Sequence, residues 1–221
     1  MLAWYAEHVA AAGQVAIVLS TSEALVHPWG GRQALLGTNP IAIGVPTGDA
    51  EPFVMDTATS IVSMGEIHDR AHRGLSLEPG WALDELGEPT TNAEAAKLGA
   101  IAPFGQAKGY ALGLAFELLV STLTGAALGR DVQGTLDAEH LCNKGDIFIV
   151  IDRVRAVGIA NYLDIIRNTA PANGFDAVLV PGERGLAQKA KRLVEGVPIA
   201  DPVWDQIQIL SGELEHLQDH I

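Results

Sequence analysis

The chain has 221 residues, 48% of them hydrophobic and 5% aromatic, with 24 glycines, a composition that describes a packed α/β protein rich in turns and excludes a disordered one. Fourteen basic against 27 acidic residues leave a net charge of −13, which argues against nucleic acid or an anionic membrane as a partner, since both demand clustered Lys and Arg. Cys142 is the only cysteine, so no intramolecular disulfide and no cysteine-based zinc cage can form, and a reducing, cytoplasmic compartment is expected.

Residues 1–12 are helical in pattern from the first residue, with no Ser, Thr, Asp or Asn ahead of the apolar positions to cap them. The helix reads as beginning in its own middle. A signal peptide does not fit, because no basic region precedes the run and Glu7 and His8 interrupt it. Gly13 supplies a C-cap, and residues 15–19 follow as a strand rich in β-branched side chains.

Residues 28–60 form the densest stretch of polar groups at fixed offsets. Gly30-Gly31 and the turn Gly37-Thr38-Asn39-Pro40 allow close backbone approach, and Pro40 biases Asn39 toward an extended geometry. Residues 41–45 and 52–55 read as buried strands, after which Asp56-Thr57-Ala58-Thr59-Ser60 sets a carboxylate and three hydroxyls just past a strand end. An ordinary hairpin with polar ends is the plainer reading of the same residues.

Farther on, strands are expected at 147–151 and 177–180, and helices at 107–128, 157–168, 186–195 and 202–217, the last with Asp201 as a possible N-cap. The run 110–129 is as long as a membrane span requires. It reads as a buried helix instead, because Glu117 sits at its centre, three glycines weaken it, and no Lys/Arg-rich loop flanks it. Its small residues Gly109, Ala111, Gly113 and Ala115 suit close packing, within the subunit or against a second one.

Neither G-x-G-x-x-G nor G-x-x-x-x-G-K-[ST] occurs, so a dinucleotide could bind only outside the doubly wound fold. Lys108, in the first turn of the long helix where free N–H groups also favour an anion, is the best phosphate candidate, though on spacing alone a solvated helix-start lysine is the plainer reading. Of the seven histidines none stands in a catalytic motif. His68-Asp69-Arg70 and His72-Arg73 could meet an acidic ligand or form a solvated polar face, and the His68/His72 pair lacks the glutamate and third ligand of a zinc site.

Taken together, residues 28–60, Pro103-Phe104-Gly105-Gln106-Ala107-Lys108-Gly109-Tyr110-Ala111-Leu112, Pro79-Gly80-Trp81-Ala82-Leu83-Asp84, Gly87-Glu88-Pro89-Thr90-Thr91 and Val180-Pro181-Gly182-Glu183 resemble the malate/L-lactate dehydrogenase-like family of NAD(P)-dependent oxidoreductases, over nearly all of residues 4–210. The resemblance implies an α/β fold with a mixed, non-Rossmann sheet and packed helices, of the L-sulfolactate dehydrogenase type, plus a C-terminal helical segment. It implies NAD or NADP as cofactor, a small 2-hydroxy or 2-oxo acid as substrate, and a homodimer. On this basis residues 1–155 are expected to hold the cofactor, and residues 156–221 to form a helical segment with a closing loop near 180–185.

Carried over by position, the resemblance assigns cofactor contacts to Ser22, to Asp56, Thr57 and Ala58, to Lys108, and to Gly182, Glu183 and Arg184. Short hydroxyls and a carboxylate beside a strand end suit ribose hydroxyls. Ser22 and Asp56 also read as plain turn or N-cap residues. The family's acid/base His and its Arg are expected upstream of Met1, so the chain reads as N-terminally truncated, with no catalytic residue expected within it. The competing reading is a catalytically silent module that binds a dinucleotide or dimerises.

Overall fold

The computed structural model describes residues 1–48, 51–137, 139–152 and 155–218. In chain order the elements are α1 (Ala3–Ala11), β1 (Val15–Ser20), β2 (Ile41–Val45), β3 (Phe53–Thr57), α2 (Met64–His72), β4 (Ala82–Leu83), β5 (Pro89–Thr90), α3 (Ala93–Ala96), β6 (Ala100–Ile101), α4 (Ala107–Thr124), β7 (Asp146–Ile151), α5 (Ile159–Arg167), α6 (Glu183–Glu195) and α7 (Asp201–Gln218). Packing divides the chain into two compact units, Met1–Gly182 and Glu183–Ile221. The second unit contains α6 and α7.

In the first unit β1, β2, β3 and β7 form a sheet of order β3-β2-β1-β7. Every ladder in it is antiparallel, an arrangement foreign to the parallel, doubly wound nucleotide fold. Helix α1 covers one face, where Leu2 and Ala6 pack on Ala16, Val18 and Ala42. The approach is close because β2 carries Gly44 at the crossing: a Cβ there would strike the Ala6 carbonyl.

A smaller sheet of order β5-β4-β6 sits over a second core of Val26, Leu36, Ile67, Leu77, Ala82, Ala93, Ala96 and Ile101. Two capped helices close this core. Ser63 accepts from the Glu66 N–H at the start of α2, and Asn92 accepts from Glu94 and Ala95 at the start of α3.

Helix α4 turns Gly109, Gly113, Glu117 and Val120 inward. A side chain at Gly109 would meet the Phe104 carbonyl, and one at Gly113 would meet Thr59 Oγ1 at 2.8 Å, so these small residues are used inside the subunit. Among the described residues no helix is long and apolar enough to cross a membrane.

Four expectations need correction. Asn39 is not extended despite the following Pro40; it takes φ 36°. The long helix stops at Thr124 rather than 128, because Gly125 takes the left-handed conformation (φ 73°) that terminates it. Residues 177–180 are not a strand; they form an irregular segment between Gly174 and Gly182, both at positive φ. Asp56 and Thr57 lie within β3 rather than past its end, since β3 keeps pairing with β2 through Thr57 opposite Ile41.

Candidate functional site

The register of the large sheet arranges side chains in rungs. Ser20 stands opposite Asp146, Val18 opposite Ala42 on one side and Phe148 on the other, and Ala42 opposite Asp56. Alternation along each strand puts Asp56, Ala42, Val18 and Phe148 on the face that α1 covers. From β3 to β7 is three strand spacings, about 14 Å.

Helix α1 stops short of the last rung, and its first turn is held there by Asp56, whose Oδ2 accepts from the Ala3 N–H at 2.8 Å. Past that turn a cavity of about 770 Å³ opens over the sheet end. Ser22, Asp56, Thr57 and Ala58 all line it, together with Ser20, Thr21, Thr38, Ser60, Ser63, Thr135, Lys144 and Asp146. Leu2, just ahead of α1, and Tyr5 of α1 add to the wall, with Tyr5 edge-on to Phe148 at 5.2 Å between ring centres.

Ser22 is fixed by the turn at 37–40. Its Oγ accepts from the Thr38 N–H at 2.9 Å, and its backbone lies so close to Gly37 that a Cβ there would come within 2.5 Å of the Ser22 carbonyl. Thr38 in turn accepts, on its carbonyl, from both the N–H and the hydroxyl of Thr59. Behind this turn Asn39, at φ 36°, is fully buried and donates to the Gly113 carbonyl and to Glu117 Oε2. Glu117, also buried, further accepts from the Gly37 and Gly129 N–H groups. Asn39 Oδ1 has no hydrogen-bond partner.

The opposite wall is a loop between α4 and β7. Glu23 Oε1 accepts from Thr135 N, Thr135 Oγ1 and Leu136 N at 2.7–2.9 Å, which pins the loop to the exit of β1. Within the loop Asp137 accepts from the backbone N–H groups of His140 and Glu139 and from the His140 ring, which brings its carboxyl down to about 2. At the loop's end Lys144 reaches Ser20 Oγ at 3.1 Å and both Asp146 oxygens at 2.5 and 2.6 Å. Burial works to raise the Asp146 carboxyl, but the Lys144 and Ser20 hydrogen bonds outweigh it and the net shift is downward.

The remaining nominated residues lie elsewhere. Lys108 is exposed in the first turn of α4, just after Gly105 and Gln106 at positive φ, and does not line the cavity. Its turn is nevertheless tied to the segment after Asp56 by the Phe104 N–H to Thr59 carbonyl bond. Gly182, at φ 96°, lies against β3, where a Cβ would strike the Val54 carbonyl. Glu183 and Arg184 begin α6 in the second unit. No histidine among the described residues lines the cavity, and His68 and His72 are exposed on α2.

Sequence reasoning passed over Glu23, Thr135, Lys144 and Asp146. The signal available was Lys144-Gly145-Asp146 directly ahead of the apolar strand 147–151. What it could not show is that Asp146 faces Ser20 across the ladder.

An antiparallel α/β sheet, without a glycine fingerprint, that ends in a hydroxyl-lined cavity with a carboxylate at one side is a dinucleotide-compatible, non-Rossmann architecture. The profile of the family described as malate/L-lactate dehydrogenase matches residues 1–208, and the chain belongs to that family. It is 36% identical over 226 residues to the L-sulfolactate dehydrogenase of Methanocaldococcus jannaschii, covering 99% of this chain and 64% of that protein. It is 37% identical over 213 residues to a Delta(1)-pyrroline-2-carboxylate/Delta(1)-piperideine-2-carboxylate reductase of Pseudomonas aeruginosa, covering 92% of this chain and 62% of that one. The crystal structure of a dehydrogenase from Sinorhizobium meliloti superposes with a TM-score of 0.90 at 51% identity, over 95% of this chain and 63% of that one. The chain thus spans somewhat under two thirds of the length of these relatives.

Proposed function

We propose that this chain carries the cofactor-holding part of an NAD(P)-dependent dehydrogenase that moves a hydride between a nicotinamide carrier and a small 2-hydroxy or 2-oxo acid. The observation that carries the reading is that four residues nominated from sequence, Ser22, Asp56, Thr57 and Ala58, line one cavity although they come from two separate chain segments. Dehydrogenases and reductases acting on small acids are the relatives on which it also rests.

The residues present fit the sugar end of a dinucleotide. Asp56 and the Ser22 and Thr57 hydroxyls offer the acceptors and donors that ribose hydroxyls need. The bound nicotinamide would supply the hydride chemistry, and the chain's own part is to bind, orient and exclude water. Leu2, Tyr5 and Phe148 make the apolar side of the cavity, and the Glu23-pinned loop closes its far wall. Lys108, Gly182, Glu183 and Arg184 enter the proposal as cofactor contacts on the sequence resemblance alone, as does the assignment of residues 1–155 to cofactor binding. A cytoplasmic homodimer completes the reading; the exposed Leu112, Leu118, Leu119 and Leu123 on α4 are in keeping with a subunit contact.

Fluorescence titration of the purified chain with NADH and with NADPH tests the proposal. Saturable binding of at least one, weakened by Asp56→Ala, is the expected result, and the ratio of the two affinities assigns the cofactor. Failure of both to bind would overturn it. Binding without turnover of any 2-oxo acid would favour the silent dinucleotide-binding module.

A further inference from the structure

We infer that Lys144 is the anion anchor of this cavity and reads a second acidic group on the substrate, a carboxylate or sulfonate carried in addition to that of the 2-hydroxy or 2-oxo acid itself. The inference rests on the reading of the cavity as the dehydrogenase site.

Charge fixes the place. Among the described residues that line the cavity, Lys144 is the sole cationic side chain, against the two carboxylates of Asp56 and Asp146. An anionic group entering the cavity is repelled by both carboxylates and meets Lys144 as its cationic side chain, the other positive charge in the lining being the Met1 α-ammonium at the α1 end. Lys144 and Ser20 hold the Asp146 carboxyl below its ordinary value by hydrogen bonding, against its partial desolvation.

Geometry fixes the group's position. The Lys144 side chain is only 27% exposed, and its Nζ is held by Ser20 Oγ at 3.1 Å and by the Asp146 oxygens at 2.5 and 2.6 Å. The three Nζ donors are thus engaged by Ser20 and by both oxygens of Asp146. An incoming oxyanion can take one of them by displacing a single Asp146 oxygen, with Ser20 and the other oxygen still held.

The Lys144 ammonium sits over Ser20 of β1, two strand spacings or about 10 Å from the β3 strand that carries Asp56. A group held by Lys144 is therefore displaced from a sugar held by Asp56. One ammonium partly offset by Asp146 also suits a single carboxylate or sulfonate better than a doubly charged pyrophosphate, which calls on several N–H donors at once.

Calorimetric titration of the purified chain with NADH, L-malate and L-lactate, repeated on Lys144→Met, Lys144→Gln and Lys144→Arg, tests this. Wild type should bind malate roughly tenfold or more tighter than lactate, the scale of one charge-assisted hydrogen bond. Lys144→Met and Lys144→Gln should bring that ratio to about one while NADH affinity stays within about twofold, and Lys144→Arg should keep most of it. Gln retains donors toward Ser20 and Asp146, so a loss of selectivity in a folded Lys144→Gln protein reports the charge and not a collapsed wall. The inference is overturned if both neutral variants keep the wild-type ratio, if malate and lactate weaken equally, or if NADH weakens while the ratio holds, which would place a cofactor phosphate on the lysine. Wild type that binds NADH but does not prefer malate sinks the inference and leaves the proposed function standing. Wild type that binds no NADH sinks both.

Discussion

Asn39 donates its Nδ2 to Glu117 Oε2 at 2.6 Å, a bond between the 37–40 turn and the middle of α4 that spans 78 residues of sequence. Because Glu117 also takes the Gly37 and Gly129 N–H groups, one buried carboxylate sets the position of the turn that holds Ser22. Glu117→Ala removes the acceptor of the buried Gly37 N–H, of one Asn39 amide proton and of the half-buried Gly129 N–H, and should cost about 2–4 kcal/mol. Glu117→Gln keeps one acceptor oxygen and should cost less, about 1–3 kcal/mol. Urea unfolding midpoints measure both; an Ala variant as stable as wild type would show that the network carries no weight.

Asp56 has two separable jobs, which one pair of variants can tell apart. Its carboxylate caps α1 through the Ala3 N–H, and it lines the cavity. Asp56→Ala should lower stability by about 1 kcal/mol, the usual worth of a cap, and weaken NADH binding. Asp56→Asn retains an acceptor for Ala3 and should recover most of the stability. If Asn restores the melting temperature and NADH affinity alike, the charge has no part in binding the sugar.

The contrast between Asp56 and Asp146 shows how much of the site was legible in the sequence. β1 and β2 were readable from their β-branched runs, and Asp56 follows directly from such a run, so resemblance and pattern both reach it. Asp146 lies at the start of an equally plain strand, yet its meaning depends on the pairing with Ser20, more than a hundred residues away, which no local period encodes. The two-residue strands β4, β5 and β6 fall below the length at which alternation can be seen. Helix α2 did carry a signal, the Ser63-Met64-Gly65-Glu66 capping pattern, and the structure uses its Ser63 half. Residues 177–180 show the opposite error, an apolar run that the structure leaves irregular rather than as a strand.

Gly44 governs how closely α1 lies on the sheet, since any Cβ at that position meets the Ala6 carbonyl. Gly44→Ala should therefore lift the helix and cost about 1–3 kcal/mol, as overpacking does. The first turn of α1 is a wall of the cavity, so NADH affinity should fall along with stability. Thermal melts and the fluorescence titration on the same preparation check the two effects. A fall in stability with unaltered affinity would detach the cavity from the seating of α1.

Asp137 makes the cavity loop acid-sensitive in a defined window. Its carboxyl is brought down from the ordinary 3.8 to about 2 in the folded chain by the N–H groups of His140 and Glu139 and by the His140 ring. A depressed carboxyl contributes its stabilisation fully above the unfolded value, and the contribution disappears as pH falls through the folded one. The loop should hold its protection down to about pH 4 and lose it progressively toward pH 2. Amide hydrogen exchange at Glu139 and His140 across that range measures it. In Asp137→Asn the acid step should be absent, and a step that survives there would belong to another group.

Glu23 pins this same loop from outside, and its three contacts converge on one oxygen. Hydrogen bonds to a charged acceptor are among the stronger ones, so Glu23→Ala should free Thr135 and Leu136 and cost about 1.5–3 kcal/mol of local stability. The global fold should persist, because neither core cluster includes Glu23. Limited proteolysis should then cut between residues 131 and 145 faster than in wild type, with weaker NADH binding from the loss of the far wall. Glu23→Gln can still accept from the loop and should fall between the two. Unchanged cleavage in Glu23→Ala would mean that the Asn143 side chain, which accepts from Gln133 and donates to Asp131, holds the loop without help.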